Sequence, residues 1–211
     1  MKVISVKKLV AKTYKKLGLS DEWKEYVGDV DAAFTMIIWG ASFNGKSSFL
    51  NAFVAELARI TTVLYVALEE SFSTTSKMKA MENGLSEMKN LRYANHETNF
   101  ASLMEYLGKK RSPRIVIIDS LQYIAMTYVD YKRLKETFPH KTFIFISHSE
   151  GKLPDGKTGK KIRYDAPIKV FVSDFIAIID SRFGGHKNYV IWEQEAKKRW
   201  GTKEFKKHLN R

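Results

Sequence analysis

The stretch that decides the fold is Gly40-Ala41-Ser42-Phe43-Asn44-Gly45-Lys46-Ser47-Ser48. It follows the apolar run of residues 34–39, which is typical of a buried strand, and it precedes residues 49–58, whose apolar positions recur at helical spacing. A strand, the pattern G-x-x-x-x-G-K-[ST] and a helix together form the phosphate-binding P-loop in the context that this motif requires.

The nine residues of this loop are predicted to hold the phosphates of ATP. The glycines let backbone N–H groups turn toward phosphate oxygens, and the N-terminus of the following helix adds further donors. Lys46 is placed to reach the β- and γ-phosphates, and the Ser47 hydroxyl is placed to ligate Mg²⁺. A chance match in a turn rich in glycine and serine is the alternative, but the correct flanks on both sides disfavour it.

Composition bounds the protein class. The 211 residues suit one domain with room for a small appendage, and 44% hydrophobic residues suffice for a large core. The sequence has no cysteine, which excludes disulfides, Cys-ligated zinc, iron–sulfur clusters and cysteine nucleophiles. Because lysines interrupt the first residues and no apolar stretch is long enough to cross a bilayer, we expect a soluble cytoplasmic protein without a membrane partner.

The formal net charge of +13 favours a polyanionic partner, above all nucleic acid. General solubility is the alternative explanation of such a charge. The cations are clustered, however, in residues 151–163 and again in residues 196–211, where Glu204 is the lone acid. This clustering favours nucleic acid.

Acidic residues end two of the predicted strands. Four apolar residues, 115–118, precede Asp119, and the strand at residues 61–68 runs into Glu69 and Glu70. Ligands of open α/β sheets lie at the carboxyl ends of the strands, so Asp119 is predicted to help hold Mg²⁺. One of the two glutamates would orient the attacking water. Adjacent residues point in opposite directions, so the residues alone do not choose between Glu69 and Glu70.

The rest of the chain divides into three parts. Residues 1–30 are predicted to form an N-terminal helical appendage with an amphipathic helix over 5–18, residues 31–195 the core, and residues 196–211 a basic tail, as a helix or an arm. Within the core, residues 72–88 are predicted to be helical, residues 142–149 form a buried strand that ends in polar groups, and residues 150–163 form a loop or loose hairpin. Strands at 175–180 and 189–192 flank a glycine turn and predict a hairpin.

The segment 66–71 (VALEES), taken with the P-loop and residues 115–119, resembles the RecA-like ATPases, especially their RadA/DnaB branch. The resemblance implies an α/β P-loop NTPase fold, with a mostly parallel central sheet flanked by helices and a C-terminal antiparallel hairpin. It selects Glu69 as the catalytic glutamate. It also places His148 at the strand-end position where this family senses the γ-phosphate.

Residues 180–184 (DSRFG) resemble a RadA motif whose lysine and arginine reach the ATP site of the neighbouring subunit. Arg182 matches the arginine, whereas Asp180 stands where the lysine would be. Arg182 is therefore a candidate finger acting in a ring or filament. The segment after His148 lies where such proteins place a DNA-contacting loop, which would bind phosphates with little sequence specificity through Lys152, Lys157, Lys160, Lys161 and Arg163.

Three functions fit these expectations. The first is an oligomeric ATPase that couples Mg-ATP hydrolysis to DNA binding in replication, recombination or repair, alongside a protein partner from those pathways. The second is an ATP-switched assembly or loader protein that engages a protein partner and binds DNA weakly or not at all. A small-molecule kinase of P-loop fold is the least favoured, because the basic segment follows the wrong strand to act as a lid.

Overall fold

The P-loop strand lies inside an eight-stranded sheet in a computed structural model that describes residues 3–69, 77–78, 81 and 84–209. The strands are β1 (Thr35–Trp39), β2 (Val63–Ala67), β3 (Leu91–Ala94), β4 (Ile115–Asp119), β5 (Thr142–Ser147), β6 (Ser149–Glu150), β7 (Leu153–Pro154), β8 (Ile168–Ser173), β9 (Ile176–Ser181) and β10 (Tyr189–Val190). The helices are α1 (Val6–Val10), α2 (Asp21–Val27), α3 (Lys46–Ile60), α4 (Phe100–Gly108), α5 (Leu121–Ile124), α6 (Tyr128–Thr137), α7 (Gly156–Asp165) and α8 (Glu193–Leu209), and a 3₁₀ turn covers Leu85–Glu87.

The sheet has the order β10-β9-β8-β1-β5-β4-β2-β3. The pairings from β3 through β2, β4, β5 and β1 to β8 are parallel, and β8, β9 and β10 pair antiparallel. This architecture confirms the predicted fold class, including the C-terminal hairpin. Because β1, β2, β4 and β5 run in the same direction, their carboxyl ends meet at one edge of the sheet, where the P-loop also lies.

The sheet is buried on both faces, as continuous apolar strands predict. All five residues of β1 are buried, and the last four alternate between two hydrophobic clusters. Met36 and Ile38 face a cluster that includes α2 and α3, while Ile37 and Trp39 face a cluster that includes α4, α6 and α7. The P-loop thus follows a strand that is held from both sides.

The N-terminal prediction is only partly met. The helix predicted over residues 5–18 is limited to α1, which buries no residue. Lys16 instead forms a bridge with Asp31, and its ammonium contacts the Asp31 carboxylate at 3.0 Å. The amphipathic pattern indicated a helix correctly only for Val6–Val10, where the apolar side chains are exposed, and apolar contacts with the core begin with Leu17 and Leu19.

The segment predicted as a loop or loose hairpin over residues 150–163 is a short hairpin followed by a helix. Strands β6 and β7 pair antiparallel, and α7 then runs from Gly156 to Asp165. Burial of Gly159 and Ile162 against the core stabilises this helix, although local glycine content argues against one. The expectation of a loop was therefore wrong for most of this segment.

The C-terminal residues are more ordered than an arm. Strand β10 ends at Val190, and α8 extends to Leu209 with a break at Gly201, whose φ is 72°. Ala196 and Phe205 are buried where this helix packs against β9. Glu70, most of the helix predicted over residues 72–88, and residues 210–211 of the tail lie outside the described residues.

Candidate nucleotide-binding site

The P-loop has the tight backbone that its glycines predict. A Cβ atom on Gly40 would come within 2.1 Å of the Val172 carbonyl oxygen. Gly45 has a φ of 96°, and a Cβ there would lie 3.0 Å from the Ile191 side chain. Helix α3 begins at the next residue, Lys46, so its N-terminal amides open toward the loop. This cradle fits a phosphate group.

Lys46 points into the loop. Its ammonium donates to the carbonyl oxygens of Gly40 at 2.7 Å and Ala41 at 3.0 Å. Burial lowers the pKa of Lys46, while the charges of Asp119 and Glu69 act in the opposite direction. The two strand-end carboxylates predicted from the sequence therefore lie close enough to Lys46 to stabilise its charged form.

Asp119 ends β4 next to Ala67 of β2, and its side chain is half-buried. The Tyr65 hydroxyl donates to its Oδ2 atom at 2.5 Å. Ser47 is exposed in the first turn of α3. A carboxylate and a hydroxyl are hard oxygen ligands, which suits Mg²⁺ bound together with water and phosphate oxygens. Within the described ranges, no group of three or more His, Asp or Glu residues would hold a metal by itself.

Glu69 follows β2 and His148 follows β5, and their side chains are in contact. The Glu69 Oε1 atom lies 3.0 Å from His148 Nε2 and accepts a hydrogen bond of 3.0 Å from the Ser120 hydroxyl. Ser120 is buried, whereas about 38% of each of the Glu69 and His148 side chains is exposed. A buried donor thus orients a carboxylate that water can reach, near Lys46.

Hydrogen bonds also link His148 to the start of α7. The Gln122 side chain donates to Ser147 Oγ at 3.0 Å and accepts from the His148 amide at 3.4 Å. The carbonyl of His148 accepts from the amide of Asp155, the N-cap residue of α7, at 2.9 Å. A displacement of His148 would therefore change the position of Asp155 at the start of α7.

Sequence reasoning did not find Tyr65, Ser120 or Gln122. Two of them had a signal, since Ser120 and Gln122 lie one and three residues after Asp119, at the ligand edge of the sheet. Tyr65 carries no such signal, because it precedes the end of β2 and reaches Asp119 only through the register of two neighbouring strands.

Arg182 does not join this site. Its amide donates to Pro167 at 3.0 Å, next to Ile168, which pairs with Met36 near the amino-terminal end of β1. The exposed Arg182 side chain therefore lies at the edge of the sheet opposite the P-loop. Asp180 lies across from Lys169 in the β8–β9 ladder, and their charged groups are 3.6 Å apart.

The five cationic residues predicted to bind DNA are not equivalent. Lys152, Lys157, Lys160 and Lys161 are exposed, although Lys160 pairs with Glu150 at 2.6 Å. Arg163 instead lies over the Trp39 ring, with its guanidinium carbon 5.3 Å from the ring centroid. Its Nε atom is buried and has no hydrogen-bond partner among the described residues. The structure thus separates Arg163 from the four lysines.

Comparison with known proteins supports the fold. No protein-family model and no curated protein sequence matches the chain. The solved structure of the flagellar accessory protein FlaH from Methanocaldococcus jannaschii matches with a TM-score of 0.60 and 17% identity, over 83% of this chain and 93% of that chain. The chain therefore has a RecA-like fold, and this likeness does not single out the RadA/DnaB branch. Among residues 3–69, 77–78, 81 and 84–209, none of the helices has the length and hydrophobicity of a membrane span.

Proposed function

We propose that this protein is a cytoplasmic ATPase that couples Mg-ATP hydrolysis to DNA binding as an oligomer. One observation carries the proposal: Lys46 of a P-loop, the carboxylates of Asp119 and Glu69, and His148 share one edge of the sheet. A structural P-loop without chemistry would not require a hydrogen-bonded glutamate and histidine beside it.

Each residue of the site has a distinct role in this proposal. The loop amides and Lys46 bind the phosphates, and Ser47 and Asp119 hold Mg²⁺, which neutralises phosphate charge when it is bound. Glu69 accepts a proton from the attacking water or orients it, and Ser120 holds the carboxylate. A movement of the Glu69 carboxylate would displace His148, and this displacement would move Asp155 and α7.

Nucleic acid is the partner that the surface charge supports. Lys157 and Lys161 are exposed on α7, and α7 begins at the residue whose amide binds the His148 carbonyl. A surface of this kind contacts phosphates and releases counterions, so binding would weaken steeply with salt. Roles in replication, recombination or repair, with a protein partner from those pathways, are part of the same proposal.

Oligomerisation is part of the same proposal, because Arg182 lies at the sheet edge opposite the P-loop. An arginine at the edge opposite the P-loop serves as a finger only if a second copy presents its own P-loop to it. A ring or filament in which successive copies stack edge to edge would meet this requirement.

One observation favours the alternative of an ATP-switched assembly or loader protein. Lys160 pairs with Glu150 and Arg163 stacks over Trp39, so fewer cations of this segment are available to DNA than the sequence predicts. In this alternative, α7 would respond to ATP by engaging a protein partner.

The two functions are separated by ATP turnover with no nucleic acid, with single-stranded DNA and with duplex DNA, together with DNA binding over a range of salt. The proposal expects turnover that DNA stimulates and binding that salt weakens. Turnover that DNA leaves unchanged, with no salt-sensitive binding, would favour the loader. No ATP turnover under any condition would refute the ATPase itself.

A further inference from the structure

Asn44, in the middle of the P-loop, is held by a turn from the far end of the chain. Its side-chain oxygen accepts a 2.8 Å hydrogen bond from the Asp174 amide, and its carbonyl accepts a 3.2 Å bond from the Phe175 amide. Asp174 and Phe175 form the two-residue hairpin turn between β8 and β9. Asn44 therefore satisfies both amides of a segment 130 residues away.

The hairpin turn has an unusual backbone. Asp174 has a φ of 46° and Phe175 a φ of 62°, so two consecutive residues other than glycine occupy the left-handed region. Two-residue hairpin turns usually place asparagine or glycine there, and phenylalanine adopts this conformation at a cost. Such a turn persists only where its surroundings hold it.

Helix α8 supplies those surroundings. Arg199 pairs with the Asp174 carboxylate at 3.3 Å, and its guanidinium carbon lies 4.8 Å from the Phe175 ring centroid. The same arginine approaches Glu195 of its own helix at 3.8 Å. One planar cation thus contacts both residues of the hairpin turn, by charge on one and by stacking on the other.

The segment that leads into α8 completes the contact with the P-loop. The Ile191 amide donates to the Phe175 carbonyl at 2.8 Å, and the Ile191 side chain would lie 3.0 Å from a Cβ atom on Gly45. Trp192 packs edge-on against Phe175, with their ring centroids 5.4 Å apart. Helix α8 therefore reaches the P-loop through the hairpin turn and through Ile191.

We propose that Arg199 is a positioning residue for nucleotide binding, which acts through Asp174 and Asn44 to hold the P-loop in its phosphate-binding shape. Arg199 does not itself touch the nucleotide. The inference rests on the proposed function, because the P-loop must bind ATP for its shape to matter. It assigns α8, which the sequence suggested only as a basic tail, to the support of the nucleotide site.

The test is ATP affinity, measured by titration calorimetry with Mg-ATP on the full chain. Arg199→Ala should weaken binding roughly three- to tenfold and leave turnover at saturating ATP within about twofold. Arg199→Lys should recover part of the loss, because it keeps the charge opposite Asp174. Lys203→Ala is the matched control, since it removes one exposed cation from the same helix and should leave affinity unchanged.

A double-mutant cycle tests the route. If Arg199 acts through Asn44, the double variant Asn44→Ala with Arg199→Ala should lose little further affinity for ATP. Its affinity should be no more than about twofold below that of the single variant that binds ATP more weakly. Losses that multiply, an Arg199→Ala variant that binds like the wild type, or an equal loss in Lys203→Ala would each overturn the proposal. If Arg199→Ala does not fold, Arg199→Lys replaces it in the same cycle.

Hydrogen exchange of the protein alone separates this inference from the proposed function. The amides of Asp174 and Phe175 should exchange faster in Arg199→Ala than in the wild type or in Lys203→Ala. Unchanged exchange would overturn the positioning role. A wild-type protein that binds no ATP would overturn the proposed function and, with it, any role of Arg199 in nucleotide binding, even if exchange at the hairpin turn rises.

Discussion

At the scale of single residues, the proposed chemistry depends on one oxygen atom, Oε1 of Glu69, which contacts both Ser120 and His148. Ser120 donates to it and His148 approaches it, so the orientation of this carboxylate depends on two partners from other segments. A carboxylate that is fixed and still reachable by water is what a water-orienting group requires.

Glu69→Gln should lower ATP turnover by roughly 100-fold or more while ATP still binds, because the amide keeps the shape of the side chain and removes its basicity. Turnover by phosphate release and affinity by titration measure the two effects. Glu70→Gln is the matched control from the neighbouring position. If Glu69→Gln keeps its turnover and Glu70→Gln loses it, the catalytic role belongs to Glu70.

A second prediction at this scale concerns Asp165. Burial alone would raise its pKa, but hydrogen bonds from Lys135 and Tyr131 outweigh burial, and the net shift of the pKa is downward. A lowered pKa stabilises the fold at pH values above the ordinary value of about 4, and this contribution is lost as the pH falls through the lowered pKa.

Asp165→Asn should therefore destabilise the protein at neutral pH, by up to about 1 kcal/mol for a partly exposed pair, and by progressively less below about pH 4. Urea unfolding at several pH values measures the difference. Glu136→Gln, an exposed change on α6, is the control. A destabilisation that does not shrink in acid would contradict the predicted contribution of this carboxylate.

The sequence predicts site residues mainly at the carboxyl ends of its strands. Lys46, Asp119, Glu69 and His148 lie at one edge because parallel strands bring their carboxyl ends together. The P-loop motif and the strand pattern predict Lys46 and Asp119 there, whereas the resemblance to RecA-like ATPases was needed to select Glu69 and His148. Ser120, Gln122 and Tyr65 depend on side-chain directions that only the folded register fixes. The local sequence does not encode which neighbours a side chain will meet.

Helix α7 shows the same limit at the scale of an element. Glycines and lysines predict a loop, yet the burial of Ile162 and Gly159 overrides that local preference. Helical phase then turns Arg163 inward onto Trp39 and leaves Lys157 and Lys161 exposed. The prediction of a loop was wrong because tertiary packing, and not the local sequence, decides the type of element here. The prediction that Arg163 contacts phosphate depended on that loop.

The proposed DNA surface gives a prediction for this element. Lys157→Ala with Lys161→Ala should weaken DNA binding and reduce the slope of log affinity against log salt by about two, the value expected for two lost phosphate contacts. Lys109→Ala with Lys110→Ala removes the same charge from the end of α4 and serves as the control. Equal losses in the two double variants would attribute binding to net charge and not to α7.

At the scale of the whole molecule, the P-loop and Arg182 lie at opposite edges of the sheet. In the proposed oligomer, each chain would contribute its P-loop to one shared site and its Arg182 to another. The fold class was predictable because the strand pattern, the P-loop and the hairpin all indicate the same architecture. The number of copies was not, because it depends on contacts that no single chain contains.

Mixing variants tests the shared site. Lys46→Ala and Arg182→Ala should each lose most ATP turnover alone, and a mixture should recover part of it, because some interfaces then combine an intact P-loop with an intact Arg182. Turnover and the mass of the assembly are measured at the same protein concentration. Full turnover of Arg182→Ala alone at high concentration would exclude a finger role.

The short outer strands have a consequence for how copies meet. Strand β10 has two residues and β3 has four, with charged Arg92 in the middle of β3. Long exposed strands invite further strands to add by backbone pairing, and short or charged ones discourage it. The proposed assembly should therefore use side-chain contacts between sheet ends and not strand pairing, and concentrated samples should resist conversion into cross-β aggregates.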